Sequence, residues 1–342
     1  MLISPHIIHQ ISIILLESFL TFCVAMTLTP LYTTFAYRYK WWKRRRTHST
    51  TGETLTVINK LSTRKRDVPT MAALITVVSV AAVTFIFNLD RRQTWLPLAA
   101  LLGAGAVGII DDIINVRGKG GGVAGLRAPI KFTMVTIVAA VAGWWFVSKL
   151  GFDAIHLPVF GDWHLGWWLI PLFTLVVVSS ANAVNISDGL DGLAGGLMIS
   201  AYFAFGVIAA FQGNFGIAAF CMAVVGALLS YVWFNIPPAR FFMGDIGSFA
   251  LGTALGVIAM LTNTLALLPV IGLVFVIEAG SSLLQIVSKK AFHRKIFIAA
   301  PIHHHLEAKG WPKTKVTMRF WILGQVCAAL GVILALTGGY IR

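Results

Sequence analysis

Ten runs of apolar residues dominate the sequence, near 8–34, 69–88, 95–113, 129–149, 166–182, 193–211, 215–234, 246–262, 266–287 and 319–340. A membrane span takes about 20 residues. Lipid offers no partner to a backbone N–H or C=O, so each run is expected to be a helix. Joints such as "GGG" at 120–122 and "IPPAR" at 236–240 separate the runs, as helix breakers do. The expected fold class is therefore an all-α polytopic membrane protein with about ten transmembrane helices, in which residues 1–342 form one integral membrane domain. Composition agrees: 57% of residues are apolar, mean hydropathy is +0.82, and only 13 of 342 side chains are acidic, which excludes a soluble domain. The first basic residue is Arg38, so the first run lacks the basic flank of a cleaved leader and is expected to stay as a helix. Cys23, Cys221 and Cys327 each sit alone in an apolar run and read as packing residues, not metal ligands.

The formal charge of +14 raises the possibility of a nucleic-acid partner, but no basic stripe interleaved with aromatics is present. Its distribution points to topology instead. Of the 27 Lys and Arg residues, 23 fall in connections after odd-numbered helices and four in the remaining connections and the C-terminus. By the positive-inside rule, the first set is expected to be cytoplasmic and both termini outside. The run Arg38, Lys40 and Lys43 to Arg46 reads as an anchor that also attracts anionic lipid.

Four polar segments stand out, and all lie on the side expected to be cytoplasmic: "GIIDDIIN" (108–115), "NAVNISDGLDG" (182–192), "FNIPPARFFMGDIGS" (234–248) and "APIHHHLEAKGW" (300–311). Their gathering on one face suits a single active site there. Asp111 and Asp112, read as a helix C-terminus, oppose the macrodipole and repel each other, a conflict that a bound cation removes. Asp188 and Asp191 are three apart and share a face with Asn185 if the segment is helical; otherwise they are turn residues beside Gly189 and Gly192. Asp245 in "GDIGS" reads first as a helix N-cap, although a helix N-terminus is also an anion site. The adjacent His303, His304 and His305 suit phosphate contact better than one tetrahedral zinc. Glu278 and Glu17 lie inside spans and need partners in the bundle. Several aspartates without Cys favour a hard cation, Mg2+ first, acting with substrate phosphates in phosphoryl transfer.

The segments "DDIIN", "NAVNISDGLDGLAGG", "FFMGDIGS" and "APIHHHLEAKGWPKTKVTMRFWI" together resemble the polyprenyl-phosphate N-acetylhexosamine-1-phosphate transferases, from about residue 60 to the C-terminus. The "PIHHH" and "GW" forms point to the branch that takes a muramoyl-pentapeptide donor. This resemblance implies a ten-helix enzyme of the bacterial inner (plasma) membrane. Such an enzyme transfers phospho-MurNAc-pentapeptide from UDP-MurNAc-pentapeptide to undecaprenyl phosphate with Mg2+, giving lipid I and UMP. It implies Asp111 and Asp112 as the aspartate pair, with Asp111 a base or lipid-phosphate contact, and Asp245 as the metal ligand. Asn185, Asp188 and Asp191 would line the site, and Gly189, Leu190, Asp191, Asn235 and Phe242 would hold uridine, Phe242 stacking on the base. Lys131 would meet phosphate, His303, His304 and His305 would form the histidine motif, and a homodimer is common in such a family.

Three departures from the resembled pattern stand out: Ala72 and Ala73 after "PTM" in place of two glycines, Asn115 where many members have Lys, and Ile298 where a basic residue usually stands. Two rival readings go with these residues. One is a related transferase that takes UDP-N-acetylglucosamine. The other is a membrane transporter, which commonly has a midplane site and paired repeats that this chain does not display.

Overall fold

The computed structural model describes residues 4–42, 68–118, 125–158 and 160–341. The basic run Lys43 to Arg46 and the joint at 120–122 lie outside these residues. The helices are α1 (Pro5–Arg38), α2 (Ala73–Phe87), α3 (Trp95–Arg117), α4 (Ala128–Ser148), α5 (Leu169–Ser187), α6 (Leu193–Phe211) and α7 (Phe215–Asn235). They continue with α8 (Gly244–Leu261), α9 (Leu268–Ile271), α10 (Leu273–Phe292), α11 (Ile302–Ala308) and α12 (Lys313–Thr337).

Eight of these helices are long and apolar enough to cross a membrane, and a ninth span results if the bent pair 265–271 and 273–292, joined at 82°, is counted as one. The second run falls short of expectation. Its helix α2 has 15 residues, because the chain enters it through a non-helical 68–72 segment and leaves at Asn88. A second departure from an all-helical fold is a hairpin of β1 (Ala154–Leu157) and β2 (Gly161–His164), paired antiparallel with Ala154 opposite His164.

The core is built around α8, every residue of which is buried. It packs on α3, α5 and α2, while α7 joins α1, α2 and α6, and α12 covers α6. Close approach explains the glycines on these faces. A Cβ on Gly108 of α3 would meet the backbone oxygen of Asp245 at 2.5 Å, and one on Gly252 of α8 would meet Ala181 Cα of α5 at 2.7 Å. With no water to expel between helices, such fit supplies much of the attraction in a membrane. It also fixes the height of α3 against α8. The C-terminal thirds of α3 and α5 and the N-terminal turns of α4 and α8 therefore meet at one end of the bundle.

Gly108→Ala should lower stability by about 1–3 kcal/mol through overpacking. Gly280→Ala, where a Cβ meets nothing within 4 Å, should be neutral or stabilising. Thermal unfolding of the two purified variants in one detergent checks this. Equal midpoints would show that the α3–α8 contact is not tight.

Candidate functional site

At the shared end of α3, α4 and α8, Asp111, Asp112 and Asp245 bring carboxylate oxygens within 4.8 Å of one another, and all three are buried. Asp111 and Asp112 do not terminate their helix as expected: α3 continues to Arg117, so they project from its interior. Asp245 is not an N-cap either. It lies in the first turn of α8, where its carboxylate accepts a hydrogen bond from Lys131. Lys131, in the first turn of α4, also donates to Asp111 Oδ2 at 2.8 Å, so one ammonium ties together three helices.

Backbone amides complete the setting. Leu126 N donates to Asp111 Oδ1 at 2.6 Å, and Ile246 N, at the positive end of α8, donates to Asp112 Oδ2 at 3.1 Å. Gly244 holds φ +80, a left-handed value, and a Cβ there would stand 2.5 Å from Asp112 Oδ2. A side chain at Gly125 would likewise press on Asp111 Oδ1, at 2.7 Å. Three carboxylates against one ammonium leave an excess of two negative charges when all are ionised. Converging hard oxygen donors with that charge fit a divalent cation such as Mg2+.

Beside this centre, α5 ends at Ser187, so the 188–192 segment is a turn. Asp188 and Asp191 do not share a helical face with Asn185. Asn185 Nδ2 donates to Ser248 Oγ at 2.8 Å, three residues from Asp245. The turn is braced from three sides. Asn235 Oδ1 accepts from Gly192 N at 2.9 Å while its Nδ2 donates to Phe241 O at 2.8 Å. Asp191 Oδ2 accepts from Ala239 N at 3.1 Å, and Trp321 Nε1 donates to Gly192 O at 3.0 Å. Leu190 is buried under the turn, Gly189 is exposed, and Phe242, half-buried, is held through its own backbone to Pro69 and Ala72.

The three histidines have different surroundings. His303 is fully buried, and its Nδ1 lies 2.8 Å from Glu278 Oε2, also fully buried. A carboxylate only accepts, so Nδ1 carries the hydrogen and Nε2 is turned the other way. There it faces Gly189, where a Cβ would meet His303 Cε1 at 2.7 Å, and Nε2 has no hydrogen-bond partner among the described residues. His304 Nδ1 lies 2.6 Å from Glu307 Oε2 on α11, and Glu307 is 3.7 Å from Lys313. Burial pushes His304 below its ordinary pKa against the pull of that carboxylate. Burial acts to raise Glu307, but the hydrogen bond and charge of His304 outweigh it and hold the carboxyl below its usual range. His305 Nδ1 accepts from Ile298 N at 3.2 Å; slight burial and Lys309 lower its pKa.

The sequence profile of glycosyl transferase family 4 matches residues 94–263. The phospho-N-acetylmuramoyl-pentapeptide-transferase of Levilactobacillus brevis is 39% identical over 275 residues, covering 79% of this chain and 84% of that protein. The protein of the same name from Geobacillus thermodenitrificans is 37% identical over 328 residues, 94% of this chain and 97% of its own length. One from Chloroflexus aggregans is 39% identical over 285 residues, with 79% and 78% covered. The chain belongs to the phospho-N-acetylmuramoyl-pentapeptide transferase family.

Within this family the three departures take concrete form. Ala72 and Ala73 are both fully buried, and their amides donate to Phe242 O and Met243 O, so small side chains are accommodated where the resembled pattern has glycine. Asn115 lies buried one turn beyond Asp111 on the same helix face, which withholds a charge from the cluster. Ile298 is exposed and contributes only its backbone amide, to His305. Sequence reasoning missed Ser248 and Glu307. Both stand in quoted motifs, and the His304–Glu307 spacing of three on one helix was the available signal for the latter. Glu17 is buried in α1, with Asn88 as hydrogen-bond partner, at the end of the bundle away from the aspartates.

Replacing Lys131 by Met should cost about 3–5 kcal/mol, because buried carboxylates lose their counter-charge. Added Mg2+ should restore part of that loss. Melting midpoints with and without Mg2+ test this. A variant whose midpoint ignores Mg2+ would show that the three aspartates do not form a cation site.

Proposed function

We propose that the protein transfers phospho-MurNAc-pentapeptide from UDP-MurNAc-pentapeptide to undecaprenyl phosphate, giving lipid I and UMP in peptidoglycan synthesis. The observation that carries this reading is the buried Asp111, Asp112, Asp245 and Lys131 cluster at one end of an apolar bundle, in a chain of this family. The proposal includes ten spans, both termini outside, the site on the cytoplasmic face of a bacterial inner membrane, and a homodimer. The distribution of Lys and Arg supports the orientation.

Mg2+ would be held by Asp245 with Asp111 and Asp112 beside it, and would neutralise charge on the donor diphosphate. The reaction is an in-line displacement. An undecaprenyl-phosphate oxygen bonds to the phosphorus nearest the sugar, the bond from that phosphorus to the bridging oxygen breaks, and UMP leaves with that oxygen. The second pKa of a phosphate monoester is about 6, so the lipid phosphate is largely dianionic at neutral pH and needs little base catalysis. Asp111 orients it. Lys131, already between Asp111 and Asp245, is placed to donate to a phosphate oxygen as charge moves. Gly189, Leu190, Asp191, Asn235 and Phe242 would hold uridine; Leu190 and Asn235 do so by shaping the turn, since the first is buried and the second spends its amide on Gly192 and Phe241. Asn185 and Asp188 line the approach. His303 presents Nε2 over Gly189 for a donor phosphate or ribose oxygen, and Glu278 sets its orientation; His304 and His305 extend this polar rim.

UMP release with undecaprenyl phosphate and Mg2+ should occur with UDP-MurNAc-pentapeptide and not with UDP-N-acetylglucosamine, and Asp245→Asn should abolish it. Release with the second donor alone would move the protein to the related branch. Glu278→Gln should lower kcat about 10²-fold with little change in KM or melting midpoint, and shift the His303 ring nitrogens in 15N NMR. Unchanged kcat and an unchanged spectrum would remove Glu278 from the site.

A further inference from the structure

A cavity of about 910 Å³ opens at the end of the bundle opposite the aspartates. It lies among the N-terminal approach to α3, the C-terminal ends of α4, α8 and α12, and the hairpin. The volume is that of a small-molecule site. Its walls are cross-braced. Gln93 Oε1 accepts from Gly216 N at 2.8 Å, Gln212 Nε2 donates to Thr262 O at 2.9 Å and Tyr340 O at 3.1 Å, and Asn263 Oδ1 accepts from His156 N at 2.8 Å. Such bracing makes the cavity a preformed shape, not a gap between mobile loops.

Its charge is the second observation. Among the described residues, the Lys and Arg in the connections at this end are Arg91, Arg92 and Lys149, and all three line the cavity. They come from two separate segments. Among the described residues none of the three has a carboxylate at ion-pair distance, although Lys149 also stands over the Trp144 ring at 5.6 Å. The acidic residue in the lining, Asp162, is 2.7 Å from His156 Nδ1. With three cations and one carboxylate in its lining, the cavity carries a net charge of +2 with His156 neutral, which suits an anion.

The depth of the cavity is marked by tryptophans. Trp95, Trp144, Trp163, Trp167 and Trp168 are all exposed at this end of the helices, as in the aromatic belt that sits among lipid headgroups. We infer that the cavity is a binding site for a phosphate group, carried by an anionic phospholipid of the leaflet away from the catalytic end. Arg91 and Arg92 would take the phosphate oxygens and Lys149 would close the site from α4. This goes beyond the transfer reaction and does not depend on it.

The test uses the full chain in detergent and the variant Arg91→Gln/Arg92→Gln/Lys149→Gln, whose three positions are exposed and far from the aspartates. Native mass spectrometry and melting midpoints are read with added phosphatidylglycerol, phosphatidylcholine or inorganic phosphate. Phosphatidylglycerol should bind the wild type at least about tenfold more tightly than the variant, with phosphatidylcholine showing no such difference and the variant retaining its UMP release. A phosphate effect alone, lost in the variant, would support the same chemistry with a soluble anion as the occupant. Equal phosphatidylglycerol binding by both proteins, or none by either, would overturn the proposal.

Discussion

One ammonium group anchors the architecture. Lys131 joins carboxylates from α3 and α8 inside a bundle where neither charge meets bulk water, and it does so from the first turn of a third helix. A buried charge is tolerated only when paired and hydrogen-bonded, so these helices are required to meet at one height. The glycine contacts between α3 and α8 make that height available, and the amides of Leu126 and Ile246 each take one oxygen that Lys131 does not reach, Asp111 Oδ1 and Asp112 Oδ2. Packing and charge thus specify the same arrangement. The residual negative charge makes it a place that could hold a cation.

The spans were the most legible part of the fold, because lipid imposes one structure on any sufficiently long apolar run. Hydropathy overestimated α2, whose apolar run includes the extended 68–72 segment, and it gave no sign of the hairpin, whose strands are only four residues each. Hydropathy also falls at Asp111 while the helix goes on to Arg117, so the aspartates looked terminal and are not. The N-cap reading of Asp245 failed for a conformational reason. Gly244 takes a left-handed turn that starts the helix two residues earlier and frees Asp245 to face α3 and α4.

The types of residue in the site were legible, but their pairings were not. Glu278 and His303 are 25 positions apart, and each is unusual only in being polar where it stands. Their pairing follows from where α10 and α11 pack. The same holds for Asn235, which sequence reasoning places against uridine and which structurally ties the 188–192 turn to the chain before α8.

The short α2 has a consequence for how the chain crosses the membrane. Fifteen residues make a helix of about 22 Å, whereas the hydrocarbon layer is about 30 Å thick. The extended chain at 68–72 adds length to that crossing, and non-helical backbone at such depth must find its partners inside the protein. The segment that makes up the rest of the crossing, 68–72, hydrogen-bonds to Phe242, which leads into the turn that carries Asp245. The non-helical end of this crossing therefore lies against the part of the protein that borders the aspartates.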